Sequence, residues 1–145
     1  MRRTVPMPVA ALNRAACSRV EDFVRETLGC GCPSDVFEDV LLESGPAGFP
    51  GIPGTRLLAI GGRLLVLLVD GDAAGMTAAQ INALLRRGRE LRDSGGFNRF
   101  RLVITTAERR AATAPQGVVM DDERLHLHFI ATARLPELLR VAALQ

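Results

Sequence analysis

The stretch Leu64-Leu65-Val66-Leu67-Leu68-Val69 constrains this chain more than any other. Six consecutive apolar residues make a strand-sized run, and because they do not alternate with polar ones, neither side of the strand can face water. Such a strand belongs at the centre of a sheet covered on both faces. Upstream, Arg56-Leu-Leu-Ala-Ile60 and Gly61-Gly62 predict a hairpin partner, since paired glycines accept the positive φ angles of a tight turn. Downstream, Asp70-Gly71-Asp72 closes the run and Thr77-Ala-Ala-Gln80 opens a helix. Ile81, Leu84, Leu85, Gly88 and Leu91 fall on one face of that helix. Arg86, Arg87, Arg89 and Arg92 are expected to face outward, towards the negative end of the helix dipole. Ser94-Gly95-Gly96 ends it, and Arg99 to Thr106 forms the next strand. A strand, a helix and a strand in this order predict a right-handed parallel crossover.

The remaining segments are shorter. Ser18-Arg-Val-Glu21 reads as a capping box for a first helix carrying Val20, Phe23, Val24, Thr27 and Leu28, and a start near Asn13 fits the pattern equally well. Gly29 is its left-handed stop. Ser34 to Glu38 reads as one helical turn and Asp39 to Glu43 as a strand. Ser44 to Thr55, with three prolines and four glycines, reads as a loop long enough to border a site. Leu125 to Ala131 is a fifth strand, and Thr132 to Leu144 a final helix that tolerates Pro136 in its first turn. Residues 1–12 read as a loosely ordered lead-in, because Pro6, Pro8 and Arg14 interrupt any secretory leader. The expected fold is α+β in a single domain spanning 1–145. It has a mixed sheet of about five strands, an antiparallel three-strand meander plus one βαβ crossover, flanked by about three helices.

Composition excludes several chemistries. All eighteen basic residues are arginine. Without lysine there is no Schiff base, no P-loop lysine and no Glu-x-Lys nuclease centre. This matters because helix, three strands, helix, strand is also the core order of restriction-endonuclease-like folds. Tyrosine and tryptophan are absent too, which leaves few platforms for stacking bases. Between Arg86 and Arg110 eight arginines face only Glu90, Asp93 and Glu108, but the whole chain carries a net charge of just +2. Nucleic acid is therefore not the expected partner, and no apolar run is long enough for a membrane span. Three cysteines, an odd number, fit a reducing compartment, and the chain is read as cytoplasmic.

Three constellations could carry chemistry. In Cys30-Gly31-Cys32-Pro33 the glycine lets both sulfurs turn towards one point, which suits a shared metal or a disulfide. The pair follows a helix C-terminus, where the dipole disfavours thiolate, and two small buried side chains are an equal alternative. His126 and His128, two apart on a strand, point to one face. With Cys30 and Cys32 they would complete a Cys₂His₂ set for zinc, or iron, if the two pairs meet. Asp70 and Asp72, at the carboxyl end of the central strand near Thr105 and Thr106, would suit magnesium; as turn residues they need no ligand.

The segment Leu28-Gly-Cys-Gly-Cys-Pro-Ser-Asp-Val-Phe37 resembles a recurring stretch in small, uncharacterised prokaryotic proteins. The resemblance covers about ten residues and implies no activity. The leading expectation is a metal-binding or thiol-redox site at Cys30 and Cys32, with His126 and His128 as further ligands in the metal version. A non-catalytic, homodimeric interaction module is the alternative, and a magnesium-dependent enzyme using Asp70 and Asp72 ranks third.

Overall fold

The computed structural model describes residues 9–45, 54–74, 76–107 and 115–140. The expected lead-in up to residue 8, most of the loop after Ser44, and the ends of the segments following Ala107 and Arg140 lie outside them. The fold is α+β around one mixed sheet of six strands in the order β1-β2-β3-β4-β5-β6. These are Val9–Ala11, Val40–Ser44, Arg56–Ile60, Leu64–Asp70, Arg99–Thr106 and Leu125–Ala131. Strands β1 to β4 pair antiparallel, whereas β4–β5 and β5–β6 are parallel. The sixth strand is β1: residues 9–11, expected to belong to the lead-in, pair with Leu41 to Glu43 at the sheet edge.

Strand β4 lies third from the far edge and every residue from Leu64 to Val69 is buried, as its unbroken apolar run demands. Leu64, Val66 and Leu68 point to one face, with Leu58, Ile60, Val103 and Ile130. That face is covered by helix α1 (Arg14–Glu26) and the 3₁₀ turn Ser34–Glu38, together with Leu135 and Leu139. Leu65, Leu67 and Val69 point the other way, onto Ile81, Leu84 and Leu85 of helix α3 (Ala78–Gly95). Between β4 and α3 the chain makes a one-turn helix α2, Gly71–Ala74.

Helix α3 starts where the sequence says. The Thr77 side chain accepts from the Gln80 N–H and the Gln80 side chain accepts from the Thr77 N–H, closing a capping box. It ends at Gly96 with φ 75°. Gly88 is packed rather than conformationally special. A Cβ there would overlap Cε2, Cζ and Cδ2 of the Phe100 ring, so its absence lets α3 lie flat on β5.

One choice between two equal alternatives is decided and two expectations are corrected. Helix α1 begins at Arg14, capped by Asn13 accepting from Ala16 N–H at 2.8 Å, so Ser18 sits inside the helix. Glu21 does not reach back to it but accepts from Arg25 and Ser34. The final helix is replaced by two short 3₁₀ turns, Thr132–Arg134 and Glu137–Leu139. Pro136 lies between them, and with no N–H to donate it interrupts the ladder. Arg92, expected outward, is only 2% exposed. It donates to Asp93 at 3.0 Å and to Asp122 at 2.9 Å, and Arg89 also pairs with Asp121 at 3.7 Å. The acidic turn before β6 thus neutralises part of the arginine face of α3.

Candidate functional site at the Cys30–Cys32 loop

The loop after α1 is fixed from both ends. Gly29 takes φ 76°, a left-handed turn that a side chain would oppose, and the following Cys30 N–H donates to the Val24 carbonyl at 3.1 Å. Beyond the loop, Ser34 donates to Glu21 at 3.0 Å and accepts from Arg25 at 3.2 Å, while the Arg25 guanidinium lies 5.5 Å from the centre of the Phe37 ring. Within this frame Cys30 and Cys32 form a disulfide, with Cα atoms 5.6 Å apart. Cys30 is 6% exposed and Cys32 half-buried. The third cysteine, Cys17, is buried on α1 and lies apart from them.

The opposite wall comes from β5, where Arg99 and Arg101 share the face that carries Val103. The buried Arg101 uses one Nη1 to donate to the Leu28 carbonyl at 3.1 Å and to His128 Nε2 at 2.9 Å. Its Nε is buried without a partner among the described residues. Arg99 Nη1 lies 3.3 Å from His126 Nε2. A guanidinium can only donate, so both Nε2 atoms accept and both rings are neutral, with the proton on Nδ1. The environment agrees. Burial, then Arg101 and His126, push His128 down from 6.5 to about 4. His126 is lowered by burial, then by Arg101 and Arg99. Burial and the neighbouring Arg99 also lower Arg101 from its ordinary value.

Cys30, Cys32, Arg63, Asn98, Arg99 and Arg101 line one pocket of about 400 Å³. Arg63, Arg99 and Arg101 make no ion pair with a carboxylate among the described residues. The cysteine and histidine pairs therefore border the same two arginines, but they do not converge on a point. The guanidinium of Arg101 stands between the α1 terminus and His128, and among the described residues no three His, Cys, Asp or Glu side chains gather to hold an ion.

Asp70 and Asp72 are indeed at the carboxyl end of β4, beside Thr105. Asp72 accepts from Thr106 Oγ1 at 3.0 Å and from the Ala107 N–H at 2.6 Å, while Asp70 accepts from the Asp72 N–H at 3.1 Å. Both oxygens of Asp72 are engaged in fastening the end of β5 to the start of α2. Nearby, the Arg56 guanidinium is buried, with Nη1 and Nη2 lacking partners among the described residues. Burial pushes it down to about 10, partly offset by Asp70.

Sequence reasoning missed Arg63, Arg99 and Arg101 as site residues. The signal was available, since Arg99 and Arg101 alternate with Phe100 and Leu102 and so share a face by the same two-residue rule that aligns His126 with His128. No family model, curated protein or solved structure matches this chain. Among the described residues no helix is long and apolar enough to cross a membrane.

Proposed function

We propose that the chain is a cytoplasmic thiol–disulfide redox protein working through Cys30 and Cys32. One observation carries the reading: the bonded sulfur pair opens onto a pocket whose other wall holds three arginines without acidic partners among the described residues. Thiolates are the reacting species in disulfide exchange, and neighbouring cations favour them. That counters the unfavourable dipole of the α1 C-terminus.

Exposure assigns the roles. In the reduced form the half-buried Cys32 thiolate attacks one sulfur of a substrate disulfide. A new Cys32 S–S bond forms and the other substrate sulfur leaves as a thiolate that takes a proton from water. The buried Cys30 thiolate then attacks Cys32 Sγ, closing the internal disulfide and releasing the second substrate thiol. Two electrons pass from the dithiol to the substrate.

Zinc or iron held by Cys30, Cys32, His126 and His128 is the second reading, favoured by both pairs bordering Arg101. It requires the disulfide to be reduced and Arg101 to release His128. A titration of the full chain in glutathione redox buffers, read by thiol alkylation and mass spectrometry and paired with elemental analysis, separates these readings. A reversible two-electron equilibrium without metal is expected. Near-stoichiometric zinc or iron, lost in Cys30→Ser/Cys32→Ser, would replace redox with metal binding. Neither result would leave the homodimeric interaction module, to be sought by sedimentation.

A further inference from the structure

We infer that the pocket between the cysteine loop and β5 is an anion subsite, and that the disulfide exchanged there is a small molecule bearing carboxylates. This rests on the redox reading above and names its substrate class. Two observations point the same way. Arg63, Arg99 and Arg101 gather at one pocket with no carboxylate paired to any of them among the described residues. Arg101 is 7% exposed yet keeps a buried Nε–H without an acceptor among the described residues, and burying a cation without a counter-charge is costly. A bound carboxylate supplies that counter-charge. His126 and His128 cannot, because they are neutral and offer only a ring nitrogen.

Size and shape select a small ligand. About 400 Å³ falls in the range of small-molecule sites, which is roughly 300–1,000 Å³. The loop side is open, since a Cβ added at Gly29 or Gly31 would meet nothing within 4 Å. A carboxylate can reach the arginines while the disulfide of the same molecule lies against Cys32. A guanidinium binds such a group through two parallel N–H bonds. In the first exchange step Cys32 Sγ bonds one sulfur of this molecule, and the sulfur that departs is the thiolate of its anionic other half.

The test uses the reduced full-length chain with three probe disulfides: glutathione disulfide (anionic), hydroxyethyl disulfide (neutral) and cystamine (cationic). Each rate is normalised to the reaction of the same disulfide with free dithiothreitol. The anionic probe is expected to exceed the cationic one by about tenfold or more, the scale of electrostatic steering into a charged cleft. The preference should collapse at about 0.5 M salt, where charges are screened within a few ångströms. Arg63→Gln, on an exposed side chain, and Arg101→Gln should each remove several-fold of the preference without abolishing exchange with the neutral probe. Equal normalised rates for all three probes would overturn the anion subsite and leave the redox reading standing. No exchange with any probe would overturn both.

Discussion

Acidification should weaken this fold through His128 before any carboxylate is protonated. In the folded chain burial holds the ring at about 4, against 6.5 for the ordinary imidazole. Between those values the unfolded chain binds a proton that the folded chain refuses, so stability falls as pH drops through the window. Taken in full, the shift removes about 2 kcal/mol between about pH 7.5 and pH 5. The ring is only partly buried, and solvent screening reduces this to about 1 kcal/mol. His126 acts in the same direction. Asp122 and Glu21 are both lowered, chiefly by hydrogen bonds from Arg92 and Arg25 respectively, so their contributions persist above the ordinary carboxylate range and are lost only at lower pH. Urea unfolding at the two pH values measures the effect, read as a midpoint change of roughly 0.5 M. His128→Gln keeps an acceptor for Arg101 but cannot titrate, so its midpoint should move less by about that amount. Identical pH dependence in the two proteins, or a His128 ring that titrates at its ordinary value by NMR, would refute the packing argument.

Two further substitutions test the frame around the site. Gly88→Ala gains helix propensity of about 0.9 kcal/mol, but its methyl overlaps the fully buried Phe100 ring, and overpacking costs about 1–3 kcal/mol. A net loss is expected in thermal unfolding, partly recovered by Phe100→Leu in the same chain; a more stable Gly88→Ala would show that α3 can lift off β5. Asp122→Ala leaves Arg92 buried with only the exposed Asp93 for a partner. A loss of about 2 kcal/mol in chemical denaturation is expected, below the value for a fully buried pair.

The parts of the fold legible in the sequence were those with a local physical signature. The unbroken run of β4, the paired glycines at 61 and 62, and the reciprocal cap of Thr77 and Gln80 each specify their element from neighbours alone, and all three formed. The failures depended on partners far away. Val9 to Ala11 become a strand because the β2 edge is there to receive them, and Arg92 is buried because Asp122 is placed opposite. In the segment expected to be the final helix, Leu135 and Leu139 are buried, but Pro136 denied it a helix. At the site, the same-face pairing of His126 and His128 followed from strand geometry. The same rule aligns Arg99 with Arg101, but only the β5–β6 register, which no local rule fixes, brings them against the histidines.

The strictly sequential strand order has a consequence for how the chain assembles during synthesis. Each strand is laid against the one made just before it, and the antiparallel β2–β3–β4 portion can form in the order of its emergence. Two edges wait longer: β1 has no mate until Val40 to Ser44 arrive, and the far edge of β4 has none until Arg99 to Thr106 arrive. At roughly 5–20 residues per second, the most apolar strand of the protein shows an unpaired edge for a few seconds. During that interval, α3 is the only element available to cover one of its faces.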